Sequence, residues 1–394
     1  MTPSSEVLPS PLSLRAATQD DALAATRLLR SLGLALPEDD DDARAHWARL
    51  WRDNPGMALA SSLGRVPSLG WVLESGPRMV GFFGNIPMAY SWGAEPVLVA
   101  VASQWGVLRE HRSDTARLAD AYFAQEGADA LLVTSAIAPT GRIFERHGGT
   151  RIPVPEQDRV LLWITRARGF VAAALRRKGV PMAAASAAAF VAGPVLDASL
   201  RLSGRRPVAS RTSASARIDQ VAVSDVDDSF DALWRAVIAG PVRLRAMRDA
   251  AHVRWHFGAL AAAGRASLLV ARDAGGSSAV LSGYIALTRE DVPAIGLTRL
   301  RVADIVLRDE RDEQTLEALL RAAIDEARLS GCDVIELVGL GSAWRAQART
   351  LRPLTRALPT WPAFDKALRP DLMESLRHEA AWLPSPYDGD SALF

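Results

Sequence analysis

Apolar and polar positions along this chain fall into strand-length and helix-length runs whose order occurs twice. The first passage opens on an alternating strand, Leu12-Ser13-Leu14-Arg15-Ala16-Ala17. Thr18-Gln19-Asp20-Asp21 offers capping oxygens to a helix over Ala22 to Leu32, which Gly33 stops. An acidic run, Glu38 to Asp42, leads into the stretch His46-Trp47-Ala48-Arg49-Leu50-Trp51-Arg52. The spacing then predicts a hairpin, Gly70 to Glu74 and Arg78 to Gly84, reversed at Ser75-Gly76-Pro77. An apolar strand from Val97 to Ala102 runs on to Trp105-Gly106-Val107-Leu108. A polar, basic turn (Arg109 to Thr115), a helix opening at Ala116 and a second apolar strand (Asp129 to Thr134) complete the passage.

The second passage repeats this order. Ile218 to Val223 reads as a strand, Asp227 leads into a helix through Trp234, and His252 to Phe257 parallels the stretch around Trp47. The hairpin recurs as Ser267 to Ala271 and Val280 to Ala286, with Gly283-Tyr284 matching Gly81-Phe82. A strand (Leu300 to Leu307), a helix (Glu313 to Leu329) and a strand (Val334 to Val338) close the unit.

In the first passage, strand, basic turn and helix start together suit an anionic ligand, because the turn exposes N–H groups and the helix dipole favours negative charge. Here the chain resembles the GNAT superfamily of acyl-CoA-dependent N-acyltransferases. The resemblance rests on Arg112-Ser113-Asp114-Thr115-Ala116-Arg117, set against the family's Arg/Gln-x-x-Gly-x-Gly/Ala, and on the stretch Thr134 to Gly149. Thr115 and Arg117 stand where the family prefers glycine or alanine, and Phe144 stands where it often has a tyrosine that protonates the departing thiolate. Gly148 matches the glycine that ends the family's fourth helix.

The resemblance implies an α/β (α+β) architecture of two tandem GNAT-like domains, each a mixed, mostly antiparallel twisted sheet flanked by helices. The expected divisions are residues 12–160, an Arg/Ala-rich helical segment over 161–215, and a degenerate copy over 216–394. It implies acetyl-CoA or another acyl-CoA as co-substrate, bound by Trp105, Val107, Arg112, Ser113, Asp114, Thr115, Ala116 and Arg117. The backbone from Trp105 to Val107 would polarise the thioester carbonyl, and a base is sought among Glu95, Gln104 and His147, of which Gln104 could only hold a water. The turn in the second passage, Arg308 to Gln314, is acidic and would repel a pyrophosphate, so one coenzyme site is expected.

Trp47 and Trp51 share a helix face and, with Tyr90, either line a pocket for an apolar or sugar-like acceptor or pack helix onto sheet. Trp234 and Trp255, at matched places in the second passage, favour packing.

Composition narrows the partners. The 46 basic and 45 acidic residues give a net charge of +1, which argues against a nucleic-acid protein; the resemblance implies a small-molecule amine acceptor. The one cysteine, Cys332, lies in an apolar run and reads as a buried side chain, and no Cys/His cluster has zinc spacing, so no metal is expected. No signal peptide is evident, and a reducing cytoplasm is the expected compartment. Between the passages, Arg166, Arg168, Arg176, Arg177 and Lys178 precede an apolar run from Gly179 to Leu196, and Arg201, Arg205 and Arg206 follow it. This segment, 166–206, reads as helices that pack on the body, with a basic interfacial membrane contact as the secondary reading. The resemblance implies an N-acyltransferase, in the first instance an N-acetyltransferase, acting on the primary amine of a small molecule or amino sugar. Its alternatives are a GNAT-fold binding protein without catalysis and a peptidoglycan-type (FemAB-like) aminoacyltransferase.

Overall fold

The computed structural model describes residues 11–206, 216–273, 280–358 and 363–393. Residues 207–215, at the end of the segment read as a linker, lie outside the described residues, as do residues 1–10. The chain forms two compact units.

In the first unit the strands are β1 (Leu12–Ala16), β2 (Gly70–Ser75), β3 (Arg78–Trp92), β4 (Glu95–Val107), β5 (Ala130–Val133) and β6 (Thr150–Arg151). Its helices are α1 (Ala22–Ser31), α2 (Asp40–Trp51), α3 (Pro55–Ser62), α4 (Thr115–Phe123) and α5 (Ala138–Arg146). The second unit begins with β7 (Arg159–Ile164), α6 (Ala167–Arg177) and α7 (Met182–Leu202). It continues through β8 (Ala216–Val221), α8 (Asp228–Ile238), β9 (Leu244–Ala246), α9 (Ala250–Ala262), β10 (Ala266–Asp273) and β11 (Leu281–Val292). Then come β12 (Leu297–Leu307), α10 (Glu313–Leu329), β13 (Val334–Leu337), α11 (Ser342–Arg349) and β14 (Leu354–Ala357). After it, β15 (Phe364–Ala367) and α12 (Pro370–Ser375) follow.

Each unit is built on a mostly antiparallel sheet, in the orders β1-β2-β3-β4-β5-β15-β6 and β14-β7-β13-β12-β11-β10-β8. Read from the first-passage end, the two orders superimpose strand for strand. In each sheet a single parallel pair, β4 with β5 and β12 with β13, is joined by a crossover helix, α4 or α10. Duplication therefore holds at the level of topology as well as sequence pattern.

The sixth position of each sheet departs from a simple tandem. The strand following β6 in the chain, β7, pairs with β13 and β14 of the second sheet. The strand following β14, β15, inserts between β5 and β6 of the first. The compact units are accordingly discontinuous: residues 363–374 join the first and residues 152–362 the bulk of the second. Continuous divisions at 160 and 215 do not coincide with them, and residues 161–164 of the expected helical segment are strand. Of the exchanged strands, β7 is apolar over Val160–Ile164, whereas β15 reads Phe-Asp-Lys-Ala and enters the first core through Phe364 alone.

Cores form where the crossover helices cover the sheets. Leu118, Tyr122 and Phe123 of α4, Phe144 of α5 and Phe364 of β15 lie in one buried cluster. Leu316, Leu319, Ala323 and Ile324 of α10 do the same against β11 to β13, with Cys332 fully buried beside them. On the other face of the second sheet, Leu196 and Leu200 of α7 pack with Val160, Leu162 and Ile164. Pro194 is accommodated inside α7, which runs unbroken through Gly193-Pro194. Helix α5 ends as its glycines predict: Gly148 has φ +79°, and the Gly149 N–H donates to the Phe144 carbonyl.

Phe364 is 3% exposed and its ring lies 6.2 Å from that of Phe144. Phe364→Ala is expected to lower stability by about 3–5 kcal/mol, read by urea denaturation, as for a large core truncation. A loss under about 1 kcal/mol would mean that β15 is dispensable to the first core.

Candidate active site

The parallel pairing of β4 with β5 ends at Val101 opposite Leu132, while β4 continues to Val107. The two strands part there. Gln104 sits in this stretch with φ +50°, a left-handed conformation that a non-glycine residue adopts at a cost and that marks a bulge. Gly106 follows, and a Cβ on it would stand 2.6 Å from a methyl of Leu32, so only glycine lets the end of α1 cover the strand.

Several polar atoms along this parting are buried and have no hydrogen-bond partner among the described residues: Ser103 Oγ, Gln104 Oε1 and Trp105 Nε1 on β4, and Thr134 Oγ1 just past β5. Such atoms are costly to leave unsatisfied. They suit a ligand with alternating donors and acceptors, such as the amide-bearing arm of an acyl-CoA. The Trp105 ring is fixed by stacking on Phe83, with centroids 4.6 Å apart.

Helix α2 supplies a residue that the sequence reading did not single out. His46 Nε2 lies 3.4 Å from Gln104 Nε2, and Arg49 stands one turn further along. Burial, reinforced by the Arg49 charge, lowers the His46 pKa to about 4, so its imidazole is neutral at pH 7 and a neutral Nε2 faces the Gln104 amide. Its signal in the sequence was weak: a histidine flanking a tryptophan on an amphipathic helix reads as packing.

The basic turn is a 3-10 segment, Arg109–Asp114, leading into α4. Arg109 and Arg112 are exposed. Asp114 occupies the N-cap position without making a cap bond; its carboxylate accepts from Ser113 Oγ and faces Arg117 at 3.7 Å. The Thr115 hydroxyl donates back to the Arg112 carbonyl, and Ala116 is exposed. The turn offers cations and a helix start, but it lacks the glycines of a backbone cradle and carries its own carboxylate. Past Val101 the β4 backbone is no longer paired with β5, and the turn beyond it offers side-chain cations alone to a diphosphate.

Other expected residues lie elsewhere or are otherwise engaged. Glu95 opens β4, nine residues before Gln104 and thus roughly 30 Å along the strand, out of reach of the parting. His147 stacks on Phe123 at 4.4 Å, with Nδ1 2.9 Å from the Ile143 carbonyl and Nε2 2.8 Å from Asp120. Both of its nitrogens face oxygen acceptors, which removes it as a base for an incoming amine. Val107 is core, 7% exposed, and packs with Leu118 in the first cluster. Trp47, Trp51 and Tyr90 are 2%, 1% and 1% exposed. Trp47 donates to Thr26 and packs its ring against Trp51 and Phe82, so these side chains join helix to sheet and line no acceptor pocket. Phe144 is buried among Tyr122, Phe123 and Phe364 and supplies no proton.

The equivalent place in the second unit is closed. There β12 runs past its last parallel pair, Val302 with Leu337, and the next position but one is Asp304, fully buried. Asp304 accepts from Arg248 twice, from Tyr284 at 2.9 Å and from Ser385 at 2.6 Å. Asp388 completes the network by accepting from Arg248 at 2.9 Å and from the backbone N–H of Ser385. Burial opposes the Arg248 charge, yet Asp304 and Asp388 outweigh it and hold the guanidinium firmly protonated. The Asp388-Gly389-Asp390 turn is thereby a tie between tail and strand, and no group of metal-binding side chains occurs among the described residues. Asp309 to Asp312 serve the start of α10, with Asp312 capping Thr315 and Glu310 held by Arg243 and Arg245.

No protein-family model matches this sequence, and no curated protein does. Solved structures match over nearly the whole chain. A GCN5-related N-acetyltransferase from Anabaena variabilis aligns over 91% of this chain and 73% of its own, with TM-score 0.52 and 13% identity. A probable N-acyltransferase from Enterococcus faecalis aligns over 91% and 72%, with TM-score 0.54 and 8% identity. A GCN5-related N-acetyltransferase from Kribbella flavida aligns over 93% and 73%, with TM-score 0.51 and 13% identity. The tandem fold is thus that of GCN5-related N-acetyltransferases.

Two outcomes follow from these environments. Unfolded histidine titrates near 6.5 and folded His46 near 4, so between these values the unfolded chain binds more protons. Stability should therefore fall by about 2 kcal/mol as pH drops through this window, allowing for partial exposure, and His46→Gln should flatten that part of the profile. Urea midpoints across the window check it; an unchanged slope in the variant would refute the placement. Asp304→Asn should cost about 3 kcal/mol, because it removes one of the two carboxylates that neutralise buried Arg248 and leaves Asp388 alone to do so, and thermal melting reads the loss.

Proposed function

We propose that the first unit transfers an acyl group from an acyl-CoA thioester to the primary amine of a small molecule, and that the second unit is a closed structural copy. The observation that carries this reading is the parting of β4 and β5, lined by the unsatisfied polar atoms of Ser103, Gln104, Trp105 and Thr134. The thioester, when bound, supplies an activated acyl carbon and a sulfur leaving group.

The chain's own residues would do three things. Ser103, Trp105 and Thr134 hold the arm of the donor in the parting, which fixes the reacting ends in place. Arg109 and Arg112, exposed at the start of α4, meet the phosphates in place of a glycine cradle. Neutral His46, its Nε2 3.4 Å from the Gln104 amide nitrogen, orients Gln104, which holds a water that carries the amine's proton to solvent. With Phe144 at the acid position, no side chain there protonates the sulfur; a thiol of pKa about 8.5 leaves as thiolate without that help near neutral pH.

One observation favours a second reading, a binding protein without catalysis: Asp114 places a carboxylate at the helix start where phosphate would sit. Calorimetric titration with acetyl-CoA and with a long-chain acyl-CoA separates the two. Saturable binding at one site per chain is expected, abolished by Arg112→Glu with no fall in melting temperature. His46→Gln is expected to keep that binding and to slow amine-dependent thiol release by roughly 10-fold, through loss of the contact that orients Gln104. Absence of heat with both ligands would exclude the acyltransferase reading; binding without thiol release over a panel of amines would favour the second.

A further inference from the structure

We propose that the hairpin of α6 and α7 docks this protein on the anionic face of a lipid bilayer, with α7 lying in the membrane–water interface. Helix α7 has 21 residues, about 30 Å of helix. Its buried positions, Ala185, Ala189, Gly193 and Leu200, form one narrow stripe at helical spacing. Along that stripe it meets α6 and the second sheet. A Cβ on Gly193 would stand 2.5 Å from Cγ of Arg168, and Leu200 packs with Val160 and Leu162. The opposite side is apolar and open to solvent. Phe190, Val191 and Val195 are 66%, 71% and 66% exposed, and Leu202 extends the face at 90%. A ridge of this length on a water-soluble surface marks a site for something that covers it.

Charge decides what covers it. Residues 166–206 hold eight basic residues and one acid, Asp197, a net +7 in a chain whose total is +1. Five of the basic residues precede α7 and three stand at its C-terminal end, so both ends of the ridge are positive. Arg201 and Arg206 pair with Asp197, and Arg176 donates to the Ile295 carbonyl. Arg177, Lys178 and Arg205 are exposed and make no ion pair among the described residues. Arg168 lies over the exposed Phe190 ring at 4.5 Å, an aromatic–cation pair suited to the boundary between headgroups and acyl chains. A second copy packed through the same face would bring +7 against +7, which disfavours a two-fold dimer there. A layer of anionic headgroups over acyl chains satisfies both the charge and the apolar ridge. Helix α7 is long and apolar enough to cross a membrane, but its inner stripe is packed on the sheet, so spanning would require stripping it from the folded unit.

The test uses the full chain and sedimentation with vesicles of phosphatidylcholine mixed with phosphatidylglycerol, against phosphatidylcholine alone. Wild type should bind the mixed vesicles at least roughly tenfold better than the neutral ones, with the preference shrinking as salt rises. The variant Phe190→Ser/Val191→Ser/Val195→Ser should lose roughly 100-fold in binding to the mixed vesicles. The variant Arg177→Glu/Lys178→Glu/Arg205→Glu should lose the preference for anionic lipid. All six sites are exposed, and unchanged melting temperatures confirm that each variant is folded. Failure of wild type to sediment with mixed vesicles at low salt would overturn the proposal. So would equal binding by wild type and the serine variant, or a wild-type dimer that the serine variant converts to monomer in light scattering.

Discussion

A strand that outruns its parallel partner must have its exposed polar groups answered by something else, and the two halves of this chain answer that demand in opposite ways. In the first unit, β4 passes Val101 and meets a bulge at Gln104, a covering helix and a set of buried atoms with no protein partner. In the second, β12 passes Val302 and meets Asp304, an arginine, two hydroxyls and the folded-back tail. Counting from the last parallel pair, Ser103 and Asp304 hold the same place. An unsatisfied serine hydroxyl costs a few kcal/mol at most, roughly 1–3, whereas a buried carboxylate left unpaired costs far more and must be paired within the protein. Once Asp304 is there, Arg248 and the tail follow, and the cleft is filled. The difference between an open and a filled strand end thus comes down to the charge at one strand position.

The exchange of the sixth strand has a different origin. Each half contains all the pieces of a complete sheet, yet β7 and β15 take each other's places. Nothing in their sequences forbids this. Arg159–Ile164 is an apolar strand and Phe364–Ala367 a short mixed one, Phe-Asp-Lys-Ala, and so short a strand carries little local signal for one sheet over the other. Phe364 is specific to the place it occupies, because its ring lies 3.0 Å from where a Cβ on Gly141 would stand, so a larger residue at 141 would not tolerate it. Local preference and tertiary fit agree at this position, which is why the exchanged arrangement is stable.

Legibility in the sequence followed how local each feature is. The hairpin β2–β3, the helices α1 and α10 and the order of elements came through because periodicity, caps and turn glycines are short-range signals: α10 spans Glu313–Leu329 as its pattern predicts, and Gly33 and Gly148 hold positive φ. The strand exchange is invisible at that range. At the site, the parting near Trp105 was legible from the resemblance, and Gln104 stands in it. The aromatic residues misled, since Trp47, Trp51 and Tyr90 have the composition of a binding pocket and the burial of a core. His147 misled for a related reason, as a histidine at a helix end near a family motif is as easily a structural tie to Asp120. His46 could be found only in three dimensions, where a helix 58 residues away in sequence brings it to Gln104.

The charge distribution is the last step. An overall balance of +1 concealed a segment at +7 and a remainder at −6, so composition spoke against strong partners while local patterning pointed to one. The same averaging hides the candidate site. Arg109, Arg112 and Arg117 stand among Glu110 and Asp114, and the turn's net charge is small although its arginines are separately placed on an exposed 3-10 turn and helix start. Side-chain cations on flexible stems hold phosphate with less geometric demand than a rigid glycine cradle, and they lose more conformational freedom on binding. A site of that kind binds its donor more weakly and depends more on salt. If the hairpin also holds the protein at an anionic surface, the local concentration of membrane-associated acyl donors offsets that weakness, and an eroded cradle becomes sufficient.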